Sequence, residues 1–201
     1  MPRVPELRLH LADEVTALWQ LTEDELGRTG VDPPFWAFAW AGGQAVARHL
    51  LDAPQEVVGA TVLDLATGSG LVALAALRAG AAAVTAVDVD PVSAAAVEEN
   101  AAANELAAGL TVVVADLLAQ TPPEVDLLVT GDVCYDRRMA DRVVPWLRQA
   151  ARQGTRVLLG DPGRAYLPAT GLTRLATYDV PTTADLEGRE VCPASVYEVA
   201  G

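Results

Sequence analysis

From about residue 55 onward, short apolar runs alternate with alanine- and leucine-rich segments of helical spacing, the pattern of βα units around a parallel sheet. The apolar runs predict strands over 61–65, 84–87, 111–115, 126–130 and 156–160. Between them 71–79, 91–104 and 137–153 read as helices, with Pro91 suited to a first turn and Gly80 and Gly154 to helix ends. The tail changes character. Expected strands at 172–180 and 195–199 flank a polar stretch, 181–193, that carries no strong helical pattern, so antiparallel pairing fits better than another crossover. The first 40 residues are mixed: 7–11 could be extended, Thr22 to Glu25 resembles a capping box, and Pro33-Pro34 ends whatever precedes it. A helix over 42–51 then leads into the first core strand, and neither an internal repeat nor a linker is visible.

Composition narrows the class. At 201 residues, 51% hydrophobic and 20% charged, the chain suits one globular domain, 1–201, and not a disordered segment. Asp and Glu number 27 against 14 basic residues, and the net charge of -13 would repel a phosphate backbone, so no nucleic-acid partner is expected. All 14 basic residues are arginines. Cys134 and Cys192 have neither disulfide-framework nor metal spacing, which suits a reducing compartment. With no signal-like start and no run of about 18 apolar residues, a cytoplasmic protein without a membrane partner is expected. His10 and His49 lack a paired nucleophile or acid, so they read as structural and no metal is expected.

The most informative stretch is Val62-Leu-Asp-Leu-Ala-Thr-Gly-Ser-Gly70. A buried strand runs into a glycine turn that opens a helix, so backbone at Gly68 and Gly70 can approach a ligand and the helix N-terminus offers free N–H groups. Gly68-x-Gly70-x-x-Ala73, with Asp88 twenty residues on, also fits a dinucleotide fingerprint. Asp64 separates the two readings, because a carboxylate at the strand end repels a pyrophosphate and attracts an amino acid's ammonium. Asp88 is placed to accept ribose hydroxyls, and Asp116, after the third strand, to accept an adenine amino group. Three strand-end carboxylates describe an adenosyl amino acid.

As a set, Asp64 to Gly70, Asp88, Asp116 and the closing strand pair resemble the seven-strand, class I S-adenosylmethionine methyltransferases, with Ala66 standing where many members have their first glycine. The resemblance implies S-adenosyl-L-methionine as cofactor. It also implies an α/β, Rossmann-like, doubly wound sheet ordered 3-2-1-4-5-7-6 with strand 7 antiparallel, in which 57–201 form the cofactor core and 1–56 a substrate-side segment. Asp132-x-x-Tyr135, after the fourth strand, resembles the Asp/Glu-x-x-aromatic motif of family 16 protein lysine methyltransferases. Together with Pro33 to Gln44 and Gly160-Asp-Pro-Gly-Arg-Ala-Tyr-Leu-Pro168, it resembles the bacterial branch of the electron-transfer-flavoprotein β-subunit lysine methyltransferases.

That resemblance implies methyl transfer to the lysine ε-amine of a protein, the flavoprotein subunit or a ribosomal protein; a monomer is expected. Asp132 would recruit and orient the lysine, Tyr135 would complete the motif, and Trp40 would lie near the cofactor. A loop acid or helix cap at Asp132 and a core aromatic at Tyr135 remain open readings. Trp36, Phe38 and Trp40 could pack on the sheet or wall the site, Cys134 reads as a small core residue, and Asn100 and Asn104 read as helix-end residues. A lysine of pKa about 10.4 is neutral only about four times in ten thousand at pH 7, so the site must align the amine while its proton is lost to water. A small-molecule N- or O-methyltransferase is the competing enzyme class. More distant alternatives are a nicotinamide dehydrogenase, which Asp64 disfavours, and a non-catalytic adenosyl-binding protein.

Overall fold

The computed structural model describes residues 3–12 and 33–201, so the capping-box expectation at Thr22 to Glu25 lies outside the described residues. A helix, α1 (Ala41–Asp52), precedes two βα steps and a third strand: β1 (Thr61–Leu65), α2 (Leu71–Arg78), β2 (Ala83–Asp88), α3 (Pro91–Ala103) and β3 (Leu110–Val114). Then come β4 (Leu127–Gly131), α4 (Arg137–Arg152), β5 (Arg156–Asp161), β6 (Leu172–Pro181), a one-turn α5 (Ala184–Glu187) and β7 (Val191–Val199). The seven strands form one sheet ordered β3-β2-β1-β4-β5-β7-β6. Neighbours among the first five are parallel, and β7 runs antiparallel to both β5 and β6. The expected order and strand sense are those observed.

Period-2 alternation assigns the layers. Val62, Leu127, Val129 and Leu158 face the side covered by α1, α2 and α3, where Val46 and Leu50 of α1 are fully buried. Leu63, Leu128, Val157 and Leu159 face α4, against Val143, Trp146 and Leu147. Burying a Val or Leu side chain stabilises by about 1.5–3 kcal/mol, so the paired apolar stripes suffice to hold α1 on the sheet. Helix starts follow local chemistry. Asp90 accepts from the Val92 N–H ahead of Pro91, and Asp136 accepts from the Arg138 and Met139 N–H groups.

Two expectations change. The 7–11 segment forms no strand; Asn104 takes both the N–H and the carbonyl of Arg8, while Asn100 takes the His10 N–H. These asparagines clasp a distant segment, and Asn104 also closes its own helix, its Nδ2 donating to Asn100 O (2.7 Å). Nor is the 181–193 stretch irregular, since it contains α5 and the start of β7, where Val191 to Pro193 pair with Asp179 to Pro181. No helix among the described residues is long and apolar enough to cross a membrane.

Candidate functional site

Because β1 to β5 are parallel, their carboxyl ends share one edge, and the chain reverses direction of winding between β1 and β4, the place where open α/β sheets hold ligands. Into that gap the turn after β1 is fixed from every side. Thr67 donates its N–H to Val87 O (3.0 Å), Gly68 donates to Asp88 Oδ2 (2.9 Å), Ser93 of α3 donates to Gly68 O (2.7 Å), and Asn100 donates to Ser69 O (2.8 Å). Gly70, the N-cap of α2, has φ +81° and would press a Cβ onto Val97 at 3.1 Å, so position 70 excludes a side chain on two counts. Ala66 holds a left-handed φ of 55° without being glycine, which costs an alanine roughly 1–2 kcal/mol.

Asp64 shares the face of Val62 and reaches α2: its Oδ2 accepts from Thr67 Oγ1 (2.6 Å) and the Ala73 N–H (2.9 Å). Oδ1 takes no hydrogen bond among the described residues, and the side chain lines a cavity of about 50 Å³. Since one water needs roughly 10–15 Å³, that space suits an amino-acid head group. Burial, only partly offset by the bonds to Thr67 and Ala73, pushes the Asp64 pKa up to about 7. The same cavity is walled by Phe38, Trp40, Gly68, Gly131 and Asp132.

The opposite wall is built at long range. Gly131 and Gly160 face α1, and a Cβ on Gly160 would collide with Gly42 O and Val46, while one on Gly131 would meet the Gly43 backbone within 2.7 Å. Glycine at these strand ends lets the amino end of α1 settle onto them. Trp40, its N-cap, provides no side-chain cap. Two first-turn N–H groups are instead satisfied by distant carboxylates: Gly43 donates to Asp132 Oδ2 (2.9 Å) and Ala41 to Glu187 Oε1 (3.2 Å). Arg164 joins those acids, its Nη2 lying 2.9 Å from both Asp132 Oδ1 and Glu187 Oε1 and its guanidinium carbon 5.7 Å from the Trp40 ring centre. Burial is the main cause that raises Asp132 to about 7, with Arg164 pulling it down and Glu187 pushing it up.

Several expectations are sharpened by this arrangement. Trp40, Asp64, Ala66, Gly68 and Asp132 come together around one cavity, with Gly70 and Asp88 fixing its turn. Asp132 is not a lone acid awaiting an ammonium, because both its oxygens are engaged and its left-handed backbone (φ 59°) is buried. The helix after it is capped by Asp136. Tyr135 is 47% exposed with its ring 5.4 Å from that of Phe35, so it is not a core aromatic, and it does not line the cavity. Asp116 departs furthest: it is exposed, it does not line the cavity, and its oxygens are taken by the Leu118 N–H and by Arg142 (2.6 Å). Phe38 and Trp40 wall the cavity, whereas Cys134 is fully buried in the core on the α4 side, where burial pushes its thiol pKa up to about 12. His49 sits between Tyr178 and Glu56, away from the cavity. Among the described residues no cluster of potential metal ligands occurs. Arg164 and Glu187 were missed, although Gly160-Asp-Pro-Gly-Arg164 stood out as a motif; its Asp161 Oδ1 accepts from the Gly163 and Arg164 N–H groups and so aims the arginine.

The family model described as ribosomal protein L11 methyltransferase matches residues 48–133. The chain is 38% identical over 201 residues to the electron transfer flavoprotein beta subunit lysine methyltransferase of Xenopus laevis, an alignment covering 98% of this chain and 80% of that protein. A solved structure described as an RNA methyltransferase from Pyrococcus horikoshii has TM-score 0.62 and 18% identity, covering 84% of this chain and 88% of that one. A methyltransferase complexed with SAH has TM-score 0.56 and 17% identity, covering 80% of this chain and 50% of that one. At such identities the two solved structures share the fold.

Proposed function

The chain belongs to the family of electron transfer flavoprotein β-subunit lysine methyltransferases, and on that footing we propose that it methylates a lysine of the β subunit of an electron transfer flavoprotein. A ribosomal protein is the second candidate, favoured by the family model that matches residues 48–133. The chain is an S-adenosylmethionine-dependent enzyme acting on protein lysine. The observation that carries the reading is the cavity in which Asp64 from β1 and Asp132 from β4 face a common space under Trp40.

The residues present fit the cofactor. Asp64, buried and lining the cavity, suits an ammonium and not a phosphate. Asp88 already holds the Gly68 and Asp90 N–H groups, which aims its carboxylate along the turn where ribose hydroxyls would be received. When bound, S-adenosylmethionine supplies an electrophilic methyl group. Phe38 and Trp40 line the cavity and supply aromatic surface to it, the kind of wall that favours a cation. Asp132, held by Gly43 and Arg164, lines the acceptor side and orients the incoming amine; the amine's proton leaves to water. Holding amine and methyl donor about 3–3.5 Å apart can contribute several of the roughly 7–11 kcal/mol available to positioning.

The test incubates the purified protein and methyl-labelled S-adenosylmethionine with electron transfer flavoprotein, with ribosomal protein L11 and with a lysate cleared of small metabolites. Label on a flavoprotein β-subunit lysine, mapped by peptide mass spectrometry, is the expected result. Label on L11 alone would transfer the reading to the ribosomal candidate, and label on neither protein while S-adenosylhomocysteine still binds would overturn both.

A further inference from the structure

We propose that Arg164 is the positioning residue of the acceptor side: a single guanidinium nitrogen holds Asp132 at the end of β4 and Glu187 of α5 together beside Trp40. This inference rests on the methyl-transfer reading above, since it names what arranges the acceptor wall of that same site. Three contacts converge on this one side chain, and a fourth anchors its backbone. Its Nη2 lies 2.9 Å from Asp132 Oδ1 and 2.9 Å from Glu187 Oε1, its guanidinium carbon lies 5.7 Å from the Trp40 ring centre, and its backbone N–H donates to Asp161 Oδ1 (2.7 Å). The Glu187 side chain is 2% exposed, so it is committed to this contact and to the Ala41 N–H.

Charge makes the arrangement obligatory. Asp132 and Glu187 both pair with the one guanidinium, and the carboxylate of Asp161, held by Arg164's backbone N–H, adds a third negative charge nearby. Without Arg164, Asp132 and Glu187 would repel each other in a site that water scarcely reaches, and an uncompensated buried charge is strongly unfavourable. Asp132 would then hold its proton or turn away, and the Gly43 N–H would lose a charged acceptor. The groups facing Asp132 are Arg164 from the loop after β5, Glu187 from α5, and the buried thiols Cys134 and Cys192, while Asp161 adds its charge to the same cluster from the end of β5. From α1 the Gly43 backbone N–H donates to it and Gly42 packs against it, neither carrying a charge. Arg164 touches no reacting atom; it acts through Asp132 and Trp40.

Coulomb's law gives the two partners opposite signs, and that is the basis of the experiment. In Arg164→Gln, kcat/KM for the protein substrate at pH 7 is expected to fall at least tenfold, with S-adenosylhomocysteine affinity within twofold of the parent. The acid limb of its pH profile should move to higher pH, and Arg164→Lys should recover part of the loss. In Glu187→Gln, which keeps the shape and removes a negative neighbour, the acid limb should move to lower pH. The Gly43 amide resonance, which reports Asp132 through its hydrogen bond, should show the same opposite displacements of its titration midpoint without any turnover. A purely structural ion pair would lower thermal stability in both variants and leave both midpoints in place. That result, or a folded Arg164→Gln enzyme with unchanged kcat/KM, overturns the proposal. If Arg164→Gln does not fold, the sign of the Glu187→Gln displacement decides. If the parent enzyme labels no lysine, the methyl-transfer reading fails, and the amide titration still reports on Arg164.

Discussion

The turn after β1 and the cluster after β4 face the same cavity, yet they are built in opposite ways. The first is made of near neighbours in sequence: Asp64, Thr67, Gly68 and Gly70 lie within seven residues, and the residues that brace them, Asp88, Ser93 and Asn100, belong to the next βα step. The second draws Asp132 onto Gly43, Arg164 and Glu187, and its longest bond in sequence, from Ala41 to Glu187, spans 146 residues. Every donor in the first is neutral, whereas in the second a guanidinium joins the backbone donors. A methyl donor of fixed shape can be received by a fixed local turn, while the acceptor side is a wall whose alignment depends on distant parts of the fold.

The difference can be broken most severely at Gly160. Gly160→Ala places a Cβ against the carbonyl of Gly42, a backbone group that cannot swing aside, so a loss near the upper end of the roughly 1–3 kcal/mol range of overpacking is expected. At about 2–4 °C per kcal/mol, calorimetry should record a fall in Tm of several degrees, while S-adenosylhomocysteine still binds because the turn after β1 is untouched. A midpoint within a degree of the parent would mean that α1 does not rest on the strand ends as described.

Asp64 tests the other side. Asp64→Asn should weaken S-adenosylhomocysteine binding by about 1.5–3 kcal/mol, the range for hydrogen bonds to a charged group. In the parent, affinity for this ammonium-bearing ligand should rise with pH by up to tenfold per unit below about 7 and level off above it, and the variant should lose that slope. Stability of the ligand-free protein should run the other way. Asp64 and Asp132 are raised from 3.8 to about 7, so between those values the folded chain holds protons that the unfolded chain has released. Stability therefore falls as pH rises through that window and is flat above it; a rise over the same interval would contradict the burial of both acids.

At Asp132 the expected effect is at least tenfold in turnover, about 1.4 kcal/mol of barrier. Asp132→Asn retains the shape but cannot accept from both Gly43 and Arg164, so methyl transfer should drop while S-adenosylhomocysteine affinity holds, as measured on one preparation. Equal losses in both would erase the distinction between the two sides. The smallest effect is a gain. Ala66→Gly relieves a left-handed alanine, and after the entropy glycine adds to the unfolded chain about 0.5–1 kcal/mol of stabilisation should remain, readable as a modest rise in denaturation midpoint.

How much was legible beforehand follows the same division. Strand β1 was expected at 61–65 and lies there, because a buried apolar run punctuated by a glycine turn is a local signal. The sheet order and Asp64's place came with that signal and the family resemblance. Asp116 lies outside the cavity, and strand-end position alone could not show that Arg142, across a 26-residue gap, pairs with it at the surface. Arg164 and Glu187 were invisible to periodicity because their partners are far away in sequence and neither sits on an apolar stripe. One signal was available: an aspartate aimed into a nonpolar edge requires a cation, and Gly160-Asp-Pro-Gly-Arg164 is a tight turn ending in one. Helix α5 hid for a simpler reason, being a single turn with too few residues to show a repeat.

Strand β7 is last in the chain but lies between β5 and β6 in the sheet. On a ribosome, where domains form from the amino end onward, a chain that has emerged only through Asp161 already contains the whole cofactor turn and all its braces. It lacks Arg164 and Glu187, and a chain that ends after β6 leaves that strand with no partner on the sheet. Nascent chains arrested at increasing lengths should therefore acquire S-adenosylhomocysteine binding before they acquire methyl transfer, so time of synthesis separates the two halves of the site as distance along the sequence does.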